Sequence, residues 1–488
     1  TGRDGAINTH FFSEQKPWGE HNPFTPVGGG SPLAAAAGSA VASVSRGHDK
    51  IDLFWASRAG AVNSLWWTEA DGWGPSHRAA FGLAGGGRWY PTLVTLADGR
   101  VLAAGGHPAR TDSRHWNNTP EIYDPARDTW TIHPTLGDLL AFVQYPRMHV
   151  LSDGKVFCAT PLVRVAEGQL GFSITYDPDT DESSQVATLG DPDYLAPAIA
   201  SSIDTTSVLL PLRPSKNYEP SVLLCGGATP RRIDLADERP AWRTTSKRPL
   251  NGPRYNLNAV LLPSSEVFVS GGVANKADDN TAVRTAEMYH PDSNTWDRLQ
   301  DATVVRNYHS VALLMPDGAV WTAGSNMNGD PGTGTRELHI ETYKPWYFDR
   351  QRPQLISAPE RMAYAQEPED AITVEVARAD TIKEVAVIRT SSTTHAFSSD
   401  QRYVELLFSV VDARHLRVIP PPAGGIAPPG VYLMFVLDSA RVPSHGRFIT
   451  IARLGKTLQA VLDLHVLTRR HIVDGRIDQA GAVARETI

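Results

Sequence analysis

The sequence predicts an all-β protein, and three observations support that prediction. The 488 residues include 40 glycines and 36 prolines, which favours many short strands joined by turns over long helices. Twelve tryptophans and fourteen tyrosines add residue types that are enriched in strands. The third observation is a recurring pattern, in which a short apolar strand and two small residues are followed by an acidic turn and a tryptophan.

The recurring pattern keeps a constant spacing. Two copies place a tyrosine 18 residues and a tryptophan 25 residues after the first glycine of a pair: Gly105, Tyr123 and Trp130 in one, and Gly271, Tyr289 and Trp296 in the other. Weaker copies cover 43–67, 156–180, 223–227 and 320–346. A repeat of about 40–50 residues with four short strands is typical of a propeller blade, and paired glycines followed by tyrosine and tryptophan are the kelch pattern. We therefore predict a kelch-type β-propeller of six or seven blades.

The pattern stops after Pro353, where short β runs at even spacing predict an immunoglobulin-like (Ig-like) β-sandwich. The predicted division of the chain is an N-terminal arm (1–34), the propeller (35–352), the sandwich (353–451) and a C-terminal tail (452–488). Leucines around residues 458–467 predict a short helix in the tail.

The composition excludes several classes of partner. The chain has 46 basic and 53 acidic residues, a net charge of −7, and no basic cluster, so no nucleic acid partner is expected. The most apolar run, 31–44, is too short to span a membrane. Two cysteines, Cys158 and Cys225, do not make a disulfide scaffold. The start at Thr1 is typical of a processed or trimmed chain and does not decide the compartment.

Candidate metal ligands lie where the inner strands of the predicted blades begin. Two such strand starts, before the x-Asp-Gly-x turns at 98–99 and 317–318, bring Tyr90, Tyr308 and His309 to one end of the propeller axis. Other strand starts add Tyr145 in one blade and both Tyr255 and Asn258 in another. Two phenols and an imidazole can bind copper, which accepts nitrogen and oxygen donors. The alternative is that these aromatic rings only plug the channel.

Four segments carry a family resemblance. The segment 88–106 (R-W-Y-P-T with A-D-G-R-V-L-A-A-G-G) and the segment 306–320 (R-N-Y-H-S-V-A-L-L-M-P-D-G-A-V) resemble the copper radical oxidases, glyoxal oxidase more than galactose oxidase. In the sandwich, 393–402 (T-T-H-A-F-S-S-D-Q-R) resembles the loop by which that family sends a histidine into its propeller. The segment 428–444 resembles the closing strands of the same domain. The resemblance covers roughly residues 40–451.

The resemblance implies a mononuclear copper site with Tyr90, Tyr308, His309 and His395 as ligands. It implies that Tyr308 is the base for the substrate hydroxyl and that Tyr90 holds the radical. The implied activity is oxidation of an alcohol or aldehyde, with O2 as electron acceptor and H2O2 as product. A secreted or extracytoplasmic protein is also implied.

The chain departs from that family at two places. The family links the tyrosine at the place of Tyr90 by a thioether to a cysteine one blade earlier, but the corresponding segment here, 37–50, contains no cysteine. We therefore expect no Tyr–Cys cofactor. The tryptophan that galactose oxidase places after its glycine pair is also missing, with His107 and Pro108 in its place.

These departures keep two other readings open. One is a non-redox propeller that binds copper or a carbohydrate, which the lectin-like sequence of residues 43–67 favours. The other is a protein-interaction scaffold. Weaker motifs are a glycosylation sequon at 117–119 and a cluster of two histidines and two glutamates at 10–21, which we interpret as part of a docked arm.

Overall fold

The computed structural model describes most of the chain between residues 88 and 452. Its described residues are 88–106, 117, 119–133, 144–160, 172–188, 205–227, 229–246, 252–275, 278–326, 337–365 and 368–452, together with 53–55 and the backbone of the earlier strands Ile7–Thr9, Phe24–Val27, Val41–Gly47, Lys50–Ala56, Val62–Thr68, Gly72–Trp73 and His77–Arg78.

Six antiparallel sheets follow one another along the first part of the chain. Sheet 1 is formed by Val41–Gly47, Lys50–Ala56, Val62–Thr68, Gly72–Trp73 and His77–Arg78, and sheet 2 by Thr92–Thr95, Val101–Ala104, Glu121–Asp124 and Thr129–Ile132. Sheet 3 contains Met148–Val150, Val156–Cys158, Phe172–Asp177 and Glu182–Thr188, and sheet 4 contains Thr206–Leu209, Ser221–Cys225, Arg231–Asp234 and Arg243–Thr244. Sheet 5 contains Asn258–Leu261, Val267–Ser270, Thr285–His290 and Thr295–Asp301, and sheet 6 contains Val311–Leu314, Val320–Ala323 and Glu341–Tyr343. Two further hairpins pair Ile7–Thr9 with Phe24–Val27 and Val273–Asn275 with Asp278–Ala282.

The two inner strands of sheets 2, 3 and 6 are joined by the Asp-Gly turns at 98–99, 153–154 and 317–318. In sheet 2, Leu96 N–H donates to Arg100 C=O and Gly99 N–H donates to Leu96 C=O, while Gly99 takes a positive φ of 92°. This is a three-residue hairpin with glycine at the left-handed position. Both strands of the hairpin are buried along their whole length, which explains their continuous run of small and apolar residues.

Successive sheets contact each other through their first strands. Thr92 Oγ1 in sheet 2 donates to Pro146 C=O beside sheet 3 at 2.8 Å. His149 Nε2 in sheet 3 lies 2.7 Å from Ser207 Oγ in sheet 4. Asn258 Nδ2 in sheet 5 donates to Ser310 Oγ beside sheet 6 at 2.8 Å. First strands packed side by side around a common centre are the arrangement of propeller blades.

A buried arginine fixes the start of the inner strand in several sheets. Arg254, before sheet 5, pairs with Glu287 at 2.6 Å, and both side chains are fully buried. Its Nε also donates to Gly271 C=O at 2.7 Å, so the strand start is held against the glycine pair of its own sheet. Arg88 pairs in the same way with Glu121 at 2.9 Å in sheet 2. The separation is 33 residues in both cases, which reflects the repeat.

The repeated tyrosine and tryptophan meet across neighbouring strands and face the preceding sheet. Tyr289 and Trp296 are direct partners in the ladder of sheet 5, with ring centroids 4.9 Å apart. Trp296 Nε1 donates to Thr245 Oγ1 at the end of sheet 4, at 3.0 Å. In sheet 2 the equivalent Tyr123 packs edge-on against Phe54 of sheet 1, at 5.9 Å. These rings therefore fill the space between blades.

The second part of the described chain is a two-sheet sandwich. One sheet has the strand order Arg361–Met362, Arg447–Ile451, Gly430–Leu437, Glu384–Arg389 and Tyr403–Leu406, and the other has Leu355–Ser357, Ile372–Val376, His415–Val418 and Phe408–Val410. A short hairpin, Thr393–Thr394 with Phe397–Ser398, leaves the first sheet. Single 3-10 turns occur at Pro214–Lys216, Trp346–Asp349, Pro368–Asp370 and Ala379–Thr381.

The sandwich is fused to the six sheets by a shared apolar core. Val404 of the sandwich and Leu212 beside sheet 4 form a parallel bridge, and both belong to one buried cluster that includes residues of both sandwich sheets. Gln401 exchanges hydrogen bonds with sheet 5, since its Nε2 donates to Ala259 C=O and its Oε1 accepts from Leu261 N–H. The two parts of the chain therefore hold each other in one orientation.

The all-β prediction and the Ig-like sandwich are confirmed, and the six sheets coincide with the six copies of the repeat. The choice between six and seven blades stays a prediction. The tail helix, the acidic and histidine-rich segment 10–21, and His107 with Pro108 lie outside the described residues. Within the described residues, no helix has the length and apolar character needed to cross a bilayer.

The buried pair of sheet 5 gives a stability prediction. Glu287→Ala leaves the Arg254 guanidinium buried without its carboxylate, so we expect the free energy of unfolding to fall by about 3–5 kcal/mol. Urea denaturation followed by circular dichroism measures this change. Asp380→Ala, which breaks the exposed Arg378–Asp380 pair, is the control and should leave the midpoint unchanged. Equal effects of the two substitutions would contradict the anchoring role of the buried pair.

Candidate metal centre

The residues before four inner strands adopt left-handed backbone. Tyr90, Tyr145, Asn256 and His309 have φ values of 65°, 46°, 59° and 63° and precede the first strands of sheets 2, 3, 5 and 6. Non-glycine residues rarely take this conformation, and such strain collects at functional sites. The repeated conformation turns each side chain away from its strand.

The glycine pairs make room for this conformation. A Cβ on Gly106 would lie 2.5 Å from Trp89 C=O, directly before Tyr90, and a Cβ on Gly272 would lie 2.5 Å from Tyr255 C=O, directly before Asn256. Both glycines also have positive φ. Only glycine lets the chain after the second strand pass so close to the strand start.

The start of the inner strand of sheet 5 corrects one detail of the sequence prediction. The sequence predicts Tyr255 and Asn258 at the channel mouth. In the structure, however, the left-handed residue equivalent to Tyr90 is Asn256. Its Nδ2 donates to Asn307 Oδ1 at 3.0 Å, next to Tyr308. Tyr255 instead forms a backbone bridge with Val273. Asn258 is buried and, as described above, bonded to Ser310, next to His309.

His395 reaches the six sheets from the sandwich at the tip of the hairpin 393–398. Thr394 and Phe397 are ladder partners, so His395 and Ala396 form a two-residue turn, and both have positive φ (48° and 63°). This is the type I′ geometry that usually selects asparagine and glycine. A histidine and an alanine held in this turn are therefore strained, and the packing around them must compensate.

Arg147 holds the tip of the hairpin. Its guanidinium is fully buried, donates to His395 C=O at 3.1 Å and to Tyr145 C=O at 3.2 Å, and contacts Thr205 C=O through two nitrogens. It also lies over the ring of Phe397, at 4.8 Å. One side chain thus connects the strand starts of sheets 3 and 4 with the hairpin of the sandwich.

Two phenols and two imidazoles converge at the hairpin tip. Tyr90 Oη lies 2.9 Å from Tyr308 Oη, and His309 Nε2 lies 3.0 Å from His395 Nε2. The His395 ring is 4.6 Å from the Tyr90 ring and 5.2 Å from the Tyr308 ring, measured between centroids. The four side chains named from the sequence are therefore brought together, although they start 305 positions apart in the chain.

Neighbouring polar groups hold both imidazoles with Nε2 toward the centre. Asn326 Nδ2 lies 3.0 Å from His309 Nδ1, and Thr394 Oγ1 lies 2.8 Å from His395 Nδ1. An imidazole that donates its Nδ1–H to an oxygen keeps the lone pair of Nε2 for a metal. Thr394 Oγ1 can accept in this way, and Asn326 accepts when its amide oxygen, instead of Nδ2, faces His309 Nδ1. Sequence reasoning assigned no role to Asn326, Thr394 and Arg147, although Thr394 stands directly before His395 in the segment 393–402.

Burial keeps these imidazoles uncharged. It lowers the pKa of His309 to about 4, against a small opposing effect of the hydrogen bond with Asn326. It lowers the pKa of His395 well below its usual value, with further lowering by His309 and Arg147. Neutral imidazoles carry the lone pair that a metal ion requires.

The donor set fits a copper ion. Two imidazole nitrogens and two phenol oxygens match the mixed nitrogen and oxygen ligands of Cu(II). Among the residues that the structure describes, no cluster of three or more His, Cys, Asp and Glu side chains could hold a metal. A metal at this centre would therefore depend on the tyrosines.

The two cysteines lie in buried strands of sheets 3 and 4. Cys158 pairs with Met148 in the ladder of sheet 3, and burial raises the pKa of its thiol to about 12. Cys225 is the last residue of the second strand of sheet 4. Neither cysteine is in a disulfide bond, and neither belongs to sheet 1, which precedes Tyr90.

Fold and centre together define an all-β protein of blade-type sheets and an Ig-like sandwich with a tyrosine–histidine cluster between them. The family model "Glyoxal oxidase N-terminus" matches residues 79–347, more than half of the chain, and "Galactose oxidase-like, Early set domain" matches 352–451. The chain belongs to the glyoxal and galactose oxidase-like family.

Several proteins of known class are similar to this chain. An aldehyde oxidase, GLOX, of Vitis pseudoreticulata is 29% identical over 75% of this chain and 72% of its own length. "Aldehyde oxidase GLOX1" of Arabidopsis thaliana is 27% identical over 75% of this chain, and the galactose oxidase of Gibberella zeae is 25% identical over 80%. The chain spans 63% and 57% of the lengths of these two relatives. A solved fungal alcohol oxidase in complex with copper has the same fold, with a TM-score of 0.53 and 18% identity over 84% of this chain and 97% of that one.

The strained turn gives a second prediction. Ala396→Gly should raise the free energy of unfolding by about 0.5–1 kcal/mol, because glycine adopts positive φ without steric cost and this gain exceeds its entropy loss. Calorimetry of both proteins measures the difference. Ala379→Gly, in a 3-10 turn without positive φ, is the control and should lower stability. A loss of stability in Ala396→Gly would show that the turn is not strained.

Proposed function

We propose that the protein is a mononuclear copper oxidase that converts an alcohol or aldehyde with O2 and releases H2O2. The convergence of Tyr90, Tyr308, His309 and His395 carries this proposal, because it supplies four donors of the types that Cu(II) prefers. Membership of the glyoxal and galactose oxidase-like family supports it, as do relatives described as aldehyde oxidases and galactose oxidase. The substrate is a small alcohol, aldehyde or carbohydrate, and the partners are that molecule and O2.

In this proposal the two tyrosines have different roles in the oxidation of the substrate. A bound copper ion supplies Lewis acidity to the substrate oxygen and exchanges one electron. Tyr308 accepts the hydroxyl proton of the substrate, and Tyr90 in its oxidised form accepts a hydrogen atom from the adjacent carbon. Their hydroxyls are 2.9 Å apart, so both can reach neighbouring atoms of one small molecule bound beside them. The balance is two hydrogens lost by the alcohol and two gained by O2.

We propose that the thioether link of the family does not form in this chain. Sheet 1 contains no cysteine in its strands, and both thiols lie buried in sheets 3 and 4. An unmodified Tyr90 keeps the high oxidation potential of a simple phenol. This observation favours a second candidate function, a copper- or carbohydrate-binding propeller without redox turnover.

Two further proposals concern the whole protein. The chain divides into an arm, a propeller, a sandwich and a tail at residues 34, 352 and 451, which the sheet boundaries and the limits of the matched families support. It acts outside the cytoplasm, as its proposed use of O2 and release of H2O2 suggest.

Metal analysis tests the function directly. The purified protein, loaded with Cu(II) and freed of excess metal, should hold one copper ion per chain. Oxygen consumption and H2O2 release with a panel of primary alcohols, aldehydes and sugars then separate the two candidates. Copper with peroxide release supports the oxidase, and copper without turnover supports the copper-binding propeller. The absence of copper contradicts both of these and leaves only the carbohydrate-binding propeller.

Ligand variants give a third prediction. His309→Ala and His395→Ala should each lower the Cu(II) affinity by at least about tenfold, because each removes a nitrogen donor. Competition with a chromophoric chelator measures the affinity. His415→Ala, at an exposed histidine of the sandwich that contacts Asp412, is the matched control and should bind copper like the parent. Unchanged affinity in both site variants would exclude the proposed ligand set.

The mass of the intact protein gives a fourth prediction. After reduction, the mass should equal that of the sequence, because a thioether link removes two hydrogens and none is expected. Mild one-electron oxidants should then raise no persistent tyrosyl radical in the copper-loaded protein. A loss of two hydrogens that maps to the peptide of Tyr90 would overturn the proposed absence of the thioether link and support full radical chemistry.

A further inference from the structure

Tyr145 lies inside the ring cluster of the centre, although the proposed function assigns it no role. Its ring stacks on the ring of His395, with centroids 4.4 Å apart and an interplanar angle of 26°. It also stacks on the ring of Tyr90, at 4.9 Å and 27°. Only 2% of Tyr145 is exposed to solvent. One flat side chain therefore covers two of the four proposed ligands.

The backbone of Tyr145 is fixed from both sides. Its N–H donates to Tyr90 C=O at 2.8 Å, and its C=O accepts from the Arg147 guanidinium at 3.2 Å. The next residue, Pro146, accepts a hydrogen bond from Thr92 at 2.8 Å. Together with the positive φ of 46°, these bonds leave the ring little freedom to move. Tyr90-Pro91 and Tyr145-Pro146 repeat the same dipeptide in neighbouring sheets, which is the only trace of this arrangement in the sequence.

We propose that Tyr145 is a positioning residue that clamps the His395 and Tyr90 rings in the orientation needed to bind the metal. This inference rests on the proposed function only where it concerns copper. His395 sits at the tip of a two-residue turn, and Tyr90 is only partly buried, so neither ring is fixed by its own backbone alone. The planar face of Tyr145 restricts rotation of both rings, and it does so without using its hydroxyl.

The clamp predicts different results for substitutions that keep or remove the ring. Tyr145→Phe keeps the flat face and should behave as the parent does. Tyr145→Ala removes the face, and Tyr145→Leu fills much of the same volume without a flat surface, which preserves folding if the alanine variant fails to fold. Tyr289→Ala removes an equally buried tyrosine ring that packs on Trp296 in sheet 5, and serves as the control for loss of stability.

The first measurement uses the metal-free protein. Diethyl pyrocarbonate modifies accessible imidazoles, and peptide mass spectrometry gives the rate at His395, which is 5% exposed. We expect a severalfold faster reaction at His395 in Tyr145→Leu and Tyr145→Ala, and the parental rate in Tyr145→Phe and Tyr289→Ala. A parental rate in every folded variant without the ring would overturn the clamp, whether or not the protein binds copper.

The second measurement is the Cu(II) affinity, with the electron paramagnetic resonance spectrum of the bound ion. Loss of the ring should weaken binding by about tenfold and alter the nitrogen hyperfine pattern, while Tyr145→Phe restores both. Tyr289→Ala should lower the melting temperature and leave the copper spectrum unchanged. An equal loss in Tyr145→Phe would show that the hydroxyl acts and would overturn the inference. A parent without copper affinity would refute the proposed function, while the labelling rates would still decide the clamp.

Discussion

The centre depends on one buried guanidinium, that of Arg147. It binds backbone carbonyls of three chain segments: the strand starts of sheets 3 and 4 and the hairpin of the sandwich. Its five N–H donors are spread over three nitrogens and can reach carbonyls that lie farther apart than the three donors on the single nitrogen of a lysine can. Without it, the strained turn at His395 would lose the contact that keeps it against the sheets. The proposed ligand His395 is therefore positioned by a group that is not itself a proposed ligand.

Sheets 2, 5 and 6 also have a buried arginine at the start of the inner strand, but there the arginine lies near a carboxylate. Arg88 and Arg254 each combine a buried carboxylate with carbonyl contacts to the glycine pair, whereas Arg306 reaches Gly324 C=O and lies 3.9 Å from Glu341. In every case the anchored arginine stands within three residues of a left-handed residue at the mouth. The arginine that stabilises each strand start and the left-handed residue at the centre thus occupy nearby positions of the same repeat. The cost of the unusual backbone is offset by charge-assisted hydrogen bonds directly beside it.

Sequence reasoning found the repeated sheets and the four candidate ligands, but it missed most of the side chains that hold those ligands in place. The constant spacing of glycine, tyrosine and tryptophan located the sheets, and the family resemblance named the four side chains that the structure brings together. The mouth residue of sheet 5 was placed one position early, because a shift of one residue turns a side chain to the other face of a strand. Thr394 stands next to its partner His395 in the sequence and was overlooked. Asn326 and Arg147 could not be assigned, since their contacts with His309 and His395 are defined only by tertiary packing. The stacking role of Tyr145 was hidden for the same reason.

The arrival of His395 from the sandwich also sets the order in which the protein matures. At a synthesis rate of about 5–20 residues per second, Tyr90 leaves the ribosome about 15–60 seconds before His395. Throughout that interval the growing chain holds at most three of the four proposed donors, so the ligand set for a metal ion is incomplete. Capture of the metal would then report that translation has passed the sandwich and that the two domains have docked. An oxidase of the proposed kind would in this way acquire its reactivity only after the sandwich has been made.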